Sequence, residues 1–133
     1  MAISFTAADI RPLPGALIEN PVVSGTVYVG WAVYNNGGSA TGSNGGATAT
    51  AYAYGIVVAA PNGGTVGVTG DRVDVVVFGR VTGYASLTIG TPAIYTDNSA
   101  GLLVQGTGGT VAHKLGVARD ATTIFVNPAT TQA

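Results

Sequence analysis

The sequence predicts an all-β domain, a small β-barrel or β-sandwich built from two pseudo-repeats, behind an extended N-terminal arm. Three observations lead there. Apolar residues alternate or form short runs and never hold a helical period over a useful length. Those runs are bounded by turn formers, with 21 glycines and 6 prolines in 133 residues. Two stretches of the chain also match each other at a fixed spacing.

Residues 1–25 read as the arm. Ile3, Phe5, Ile10, Leu13, Leu17 and Ile18 are apolar but follow no helical face, and Pro12, Pro14 and Pro21 each remove a backbone donor. An apolar, proline-broken segment without a core of its own is expected to lie extended on its own domain or on a partner. The β-domain is expected over 26–127. In 26–34 alternation puts Val27, Val29, Trp31 and Val33 on one face, and Tyr28 and Tyr34 on the other. Residues 48–58 alternate Ala with Thr or Tyr before turning apolar. Strands are expected at 65–69 and 72–79, joined by Gly70-Asp71, then at 85–89, 92–96, 101–105, 110–118 and 122–127. The Gly-rich segments 37–46 and 106–109 read as mobile hairpin loops. Neither ends in the Gly-Lys-Ser/Thr of a phosphate loop. The tail, 128–133, is expected to fray.

The pseudo-repeats span 27–68 and 87–126. Gly30 to Tyr34 resembles Gly90 to Tyr95, and both Tyr34 to Gly55 and Tyr95 to Gly116 are 21 residues. Gly45 pairs with Gly106, Ala51 with Ala112, and Gly55-Ile56-Val57 with Gly116-Val117-Ala118. Val66-x-Val68 and Ile124-x-Val126 read as the closing strands of the two copies.

Composition removes whole classes of function. Charged residues are 8% of the chain, against roughly 25% in an ordinary soluble domain. Net charge is −1, and the five cations, Arg11, Arg72, Arg80, Lys114 and Arg119, are scattered, so phosphate-driven nucleic-acid binding is not expected. There is no cysteine, hence no disulfide, thiolate metal site or cysteine nucleophile. No apolar run reaches 18 residues and the N-terminus lacks a basic, apolar leader pattern, so neither a membrane helix nor a secretory signal is expected. Between Glu19 and Asp71 there is no charge at all. That stretch is either a surface of Thr, Ser, Asn and Gly or one that meets another protein.

No catalytic or metal-ligating residue stands out, and no cofactor or enzymatic activity is expected. His113 is the only histidine, and Asp71 and Asp97 sit in turn contexts where Asp bonds its own backbone. Trp31, Tyr34, Tyr52 and Tyr54 could stack on a sugar, but packing in a core or interface is the favoured reading.

Residues 71–127 carry a further pattern. It runs through Gly70-Asp71-x-Val73-x-Val75 with Gly79 following, then Ile89-Gly90-x-Pro92-x-x-Tyr95, a Gly-rich hairpin, Leu115-Gly116-Val117-Ala118 and a terminal Ile124-x-Val126. The pattern resembles the small capsid decoration, or cement, proteins of tailed bacteriophages, and 27–68 fits it more loosely. The resemblance implies a compact β-fold, including a β-tulip-like form. It also implies a structural virion protein, made in the host cytoplasm and placed on the capsid exterior. There it binds the major capsid protein as a homotrimer and bridges capsomers, with no nucleic acid or membrane as partner. On that reading Ile3, Phe5, Ile10, Leu13, Leu17, Ile18, Trp31, Tyr34, Tyr52 and Tyr54 are the candidate capsid or subunit contacts. The arm is expected to be ordered by a neighbouring subunit or the capsid, and its removal to leave the barrel folded. The 37–46 segment and the long arm depart from the family pattern. The alternatives are a carbohydrate-binding or adhesive module, and an outer-membrane barrel.

Overall fold

A computed structural model describes residues 2–129. Valine is the commonest residue at its pairing positions, where β-branched side chains pack well on a pleated surface. In chain order the strands are β1 (Ser4–Phe5), β2 (Arg11–Pro12), β3 (Leu17–Glu19), β4 (Thr26–Tyr28), β5 (Ala32–Asn36), β6 (Ser39–Gly42), β7 (Ala53–Ala59), β8 (Val66–Val68), β9 (Asp74–Thr82), β10 (Tyr84–Ala85), β11 (Ala93–Thr96), β12 (Leu103–Gln105), β13 (Lys114–Ala118) and β14 (Thr123–Val126). One short helix, α1 (Thr48–Ala51), precedes β7. The chain is all-β, a curled antiparallel half-barrel sheet in the order β12-β11-β13-β14-β9-β7-β5-β6, with small ribbons β1-β10 and β4-β8 beside it.

The nine-residue strand β9 is the hub. Its first half pairs with β7 (Ile56 opposite Val76) and its second half with β14 (Ile124 opposite Val81). Two sheets therefore diverge from one strand. Its other edge is followed by the N-terminal segment, through β2 (Arg11 opposite Thr82) and β3 (Leu17 opposite Phe78). Gly79 marks the change of partners. Its φ is +124°, and a Cβ there would lie 2.7 Å from Ala16 Cα, so only glycine lets the two backbones pass. The core between the sheets is aliphatic: Ile56, Ile94, Leu103, Leu115 and Ile124 with a set of valines are fully buried.

The repeat is visible in the backbone. Val33 faces Gly55 as Ile94 faces Gly116, and Tyr34 faces Ala53 as Tyr95 faces Lys114, each 61 residues on (33 to 94, 34 to 95). Both pairings carry a bulge at the same step, between Val33 and Tyr34 and between Ile94 and Tyr95. Val57 N–H donates to Trp31 O as Ala118 N–H donates to Pro92 O.

Outside this frame the structure corrects the repeat expected from sequence. Ser43 N–H donates to Ala32 O as Gly106 N–H donates to Ala93 O, so Ser43, not Gly45, is the counterpart of Gly106. The second hairpin is two residues longer, which no glycine count reveals. Val66–Val68 is not the closing strand of the first copy either. It pairs with β4 in a separate ribbon, and Val75 opposite Val57 takes the place that Ile124 holds opposite Ala118.

Four element expectations also change. Of the strand expected at 85–89 only Ala85 is paired, in β10, and the chain turns at Ser86, φ +57°. Residues 26–34 do not form one strand. The chain turns at Gly30 (φ +98°), where Trp31 N–H donates to Tyr28 O, and both Ala32 and Val33 face inward beyond the turn. Residues 48–51 are helical rather than extended. The segment 37–46 is not a free loop: 39–42 is β6, and Gly45 is pinned through Gly45 N–H to Asp97 O and Val111 N–H to Gly45 O. Those bonds also dock it against the second Gly-rich loop, at 106–111.

The arm lies on its own chain. Ile3 N–H donates to Leu103 O and Ala2 bridges Val104, covering the outer edge of β12. Val22 to Ser24 covers the outer edge of β6 through Ala40 N–H to Val22 O and Ser24 N–H to Ala40 O. One proline-broken strap thus closes both ends of the sheet, blunting edges that would otherwise recruit other chains. Of the tail, 130–133 fall outside the described residues, while Ala129 N–H still donates to Lys114 O.

Candidate functional site

The ten residues singled out from sequence do not gather in one place. Ile10 is 5% exposed and belongs to the core, so it cannot meet a partner. Ile3 and Phe5 are half-buried and pack against that core. The Phe5 ring meets Tyr84 edge-on at 5.4 Å and fills the space that a Cβ on Gly30 would take. Tyr84 in turn donates its hydroxyl to Gly30 O at 2.8 Å, and burial pushes its ionisation far up. Leu13 is half-buried, its N–H donating to Arg80 O. Only Leu17 and Ile18 of the arm are open, at 60% and 46% exposure.

The aromatic candidates are dispersed as well. Trp31 is half-buried over the backbones of Gly101 and Gly42, with Tyr28 tilted against it at 4.9 Å. Tyr34 is half-buried at the bulge of β5. Tyr52 is exposed and lies 5.1 Å from the His113 ring. Tyr54 is half-buried, and burial together with the negative charge of Glu19 pushes its hydroxyl up to about 12. No shared stacking platform results.

His113 sits where β13 meets β7 and is 3% exposed. Its Nε2 lies 2.9 Å from Ala53 O, a carbonyl, so Nε2 carries the proton and Nδ1 is left as a buried acceptor without a partner. Burial lowers its pKa, partly countered by the Ala53 bond. Ser43 Oγ and Thr96 Oγ1 are likewise buried and unpartnered. No acid completes a relay, and no group of three or more His, Asp or Glu side chains comes together among the described residues.

The feature that sequence reading missed is an exposed strip along β3, β9 and β14. Leu17 lies opposite Phe78, which is 44% exposed. Phe78 meets Phe125 edge-on, at 5.2 Å and 78°. Arg80 is the cross-strand partner of Phe125, and the Arg119 guanidinium stands 5.6 Å above the Phe125 ring. Beside them Lys114, Val117, Asn127 and Ala129 help line a shallow depression of about 370 Å³. Three of the chain's five cations meet on this face. A signal existed: Phe125 alternates with the inward Ile124 and Val126. Phe78, closing the apolar run Val75-Val76-Val77, gave no such cue. A second apolar area, Tyr28 with Val66 and Val68, lies on the β4-β8 ribbon.

Compared with protein families, with characterised proteins and with solved structures, the chain matches none.

Proposed function

We propose that this protein is a structural decoration protein of a tailed-phage capsid, binding the outer surface and bridging capsomers as a homotrimer. The carrying observation is the motif from Gly70-Asp71 to Ile124-x-Val126. Its residues hold positions on which the architecture depends, which supports reading it as a fold signature rather than a chance of composition. Gly79 allows the crossing at Ala16, and Gly116 lies directly under Phe125 O, where a Cβ has no room. Tyr95 sits at the second bulge. The dispersed polar groups support a role in binding rather than turnover.

The physics of such a role is simple. Many copies that bind only the assembled shell stabilise that state by mass action. Each bridging contact raises the effective concentration of the next. Because the uncharged stretch between Glu19 and Asp71 supplies much of the surface, docking should depend little on ionic strength.

Electron cryo-microscopy of the native particle tests the proposal. The expected result is this fold on the shell exterior at three-fold positions. Its absence from the shell, or a place inside the head or in the tail, would overturn it.

A further inference from the structure

We propose that the exposed strip on β3, β9 and β14 is a two-fold contact between two copies of this chain. Along the strip the chemistry runs from acidic to apolar to basic. Glu19, exposed, lies opposite Val75 at one end. Leu17 and Phe78, opposite each other, form an exposed apolar centre. Phe125, Arg80 and Arg119 close the other end. From the Glu19 pair to Arg80 is five residues of β9, about 17 Å at the usual rise.

A surface that reads acidic, apolar, basic is complementary to itself when turned through a half rotation. Two copies laid antiparallel set Glu19 of each toward the Arg80 and Arg119 end of the other, with the apolar centres stacked between. A wholly acidic partner would meet like charge at Glu19, and a wholly basic one would meet it at Arg80 and Arg119. A second copy satisfies both ends. Neither guanidinium, nor Glu19, is in an ion pair among the described residues; Glu19 lies beside Tyr54, and Arg119 stands over the Phe125 ring.

The backbone agrees. Among the described residues no strand pairs with the outer edge of β3. Pro12, Pro14 and Pro21 blunt the rest of that edge, leaving a proline-free window only over 15–20. That window is where Leu17 and Ile18 are open, so the contact has a defined length and register.

The proposal goes beyond the capsid reading and does not rest on it, since its readout is mass in solution. Sedimentation velocity on the full chain, from 5 µM to 500 µM, at 50 mM and 500 mM NaCl, tests it. A reversible dimer is expected in solution, through a contact separate from the three-fold assembly proposed on the capsid, and weakened by salt. Glu19→Arg alone, or Arg119→Glu alone, should weaken association about tenfold or more by placing like charges together. The double variant E19R/R119E should recover most of it, a rescue that a folding defect does not produce. Phe78→Ser should weaken association at both salt concentrations. Circular dichroism confirms that each variant is folded. A wild-type chain that stays monomeric at 500 µM would overturn the proposal. So would an oligomer whose mass ignores the Glu19 and Arg119 substitutions, or a double variant no better than either single one. Failure of the protein to appear on any capsid would leave this result untouched.

Discussion

Two residues carry clear consequences. Trp31 is the only tryptophan and rests on Gly101, whose φ is +74° and whose missing Cβ makes room for the indole. Gly101→Ala must both strain the backbone and displace the ring. We expect a loss of about 2–4 kcal/mol in denaturant unfolding, with Trp31 emission shifted to the red. His113 predicts a pH dependence. Its folded pKa is below the unfolded value of about 6.5, so the unfolded chain takes up a proton first as pH falls. Its contribution to stability is full above about pH 6.5 and is lost as pH falls toward the folded pKa. His113→Gln, which keeps a donor for Ala53 O, should flatten the melting temperature between pH 7 and pH 5. An unchanged slope in that variant would assign the dependence elsewhere.

At the scale of elements, the strands and their inward faces were largely legible, because period-two alternation is a local property. Residues 92–96 and 122–127 were expected as strands and contain β11 and β14. Neighbours were not legible. Nothing in Asp74–Thr82 reveals that β9 takes four partners, since periodicity reports which face is buried and not which strand lies alongside. The arm shows the same limit. Its apolar residues and prolines point to chain without a core of its own, but their receiving groove is on the molecule itself. Deleting residues 1–20 is therefore expected to destabilise the domain rather than spare it. It removes Ile10 from the core, uncovers β12, and strips β2 and β3 from β9. We expect a drop of several degrees in melting temperature and a rise in light scattering at 37 °C. A truncated chain as stable as the parent would show the strap to be dispensable.

At the scale of the molecule, the shared strand decides cooperativity. Two topological repeats could unfold in sequence if a linker joined them. Here Val75 and Val76 belong to one sheet and Val81 to the other, within one nine-residue strand. Melting either sheet frays the strand on which the other is built. Trp31 emission, reporting the first repeat, and far-ultraviolet circular dichroism should therefore follow one coincident transition in urea. Two separated midpoints would mean that β9 does not couple the halves. The candidate site was less legible than the fold for the same reason: Leu17, Phe78 and Phe125 are far apart in sequence, and only the pairing of three strands makes them one surface.

The strap has a consequence for how the chain is made. Residues 2–5 leave the ribosome well before their partners, Tyr84, Ala85, Leu103 and Val104. At about 5–20 residues per second, the leading segment waits on the order of 5–20 s for a place to dock. The contacts that cover the β12 edge are thus among the longest in sequence, which puts the folding barrier at a non-local step and slows it toward the millisecond-to-second range. Throughout that interval the nascent chain displays apolar, unpaired backbone over residues 2–5. The prolines at 12, 14 and 21, which limit pairing in the finished protein, also limit wrong pairing of the rest of the strap during that wait.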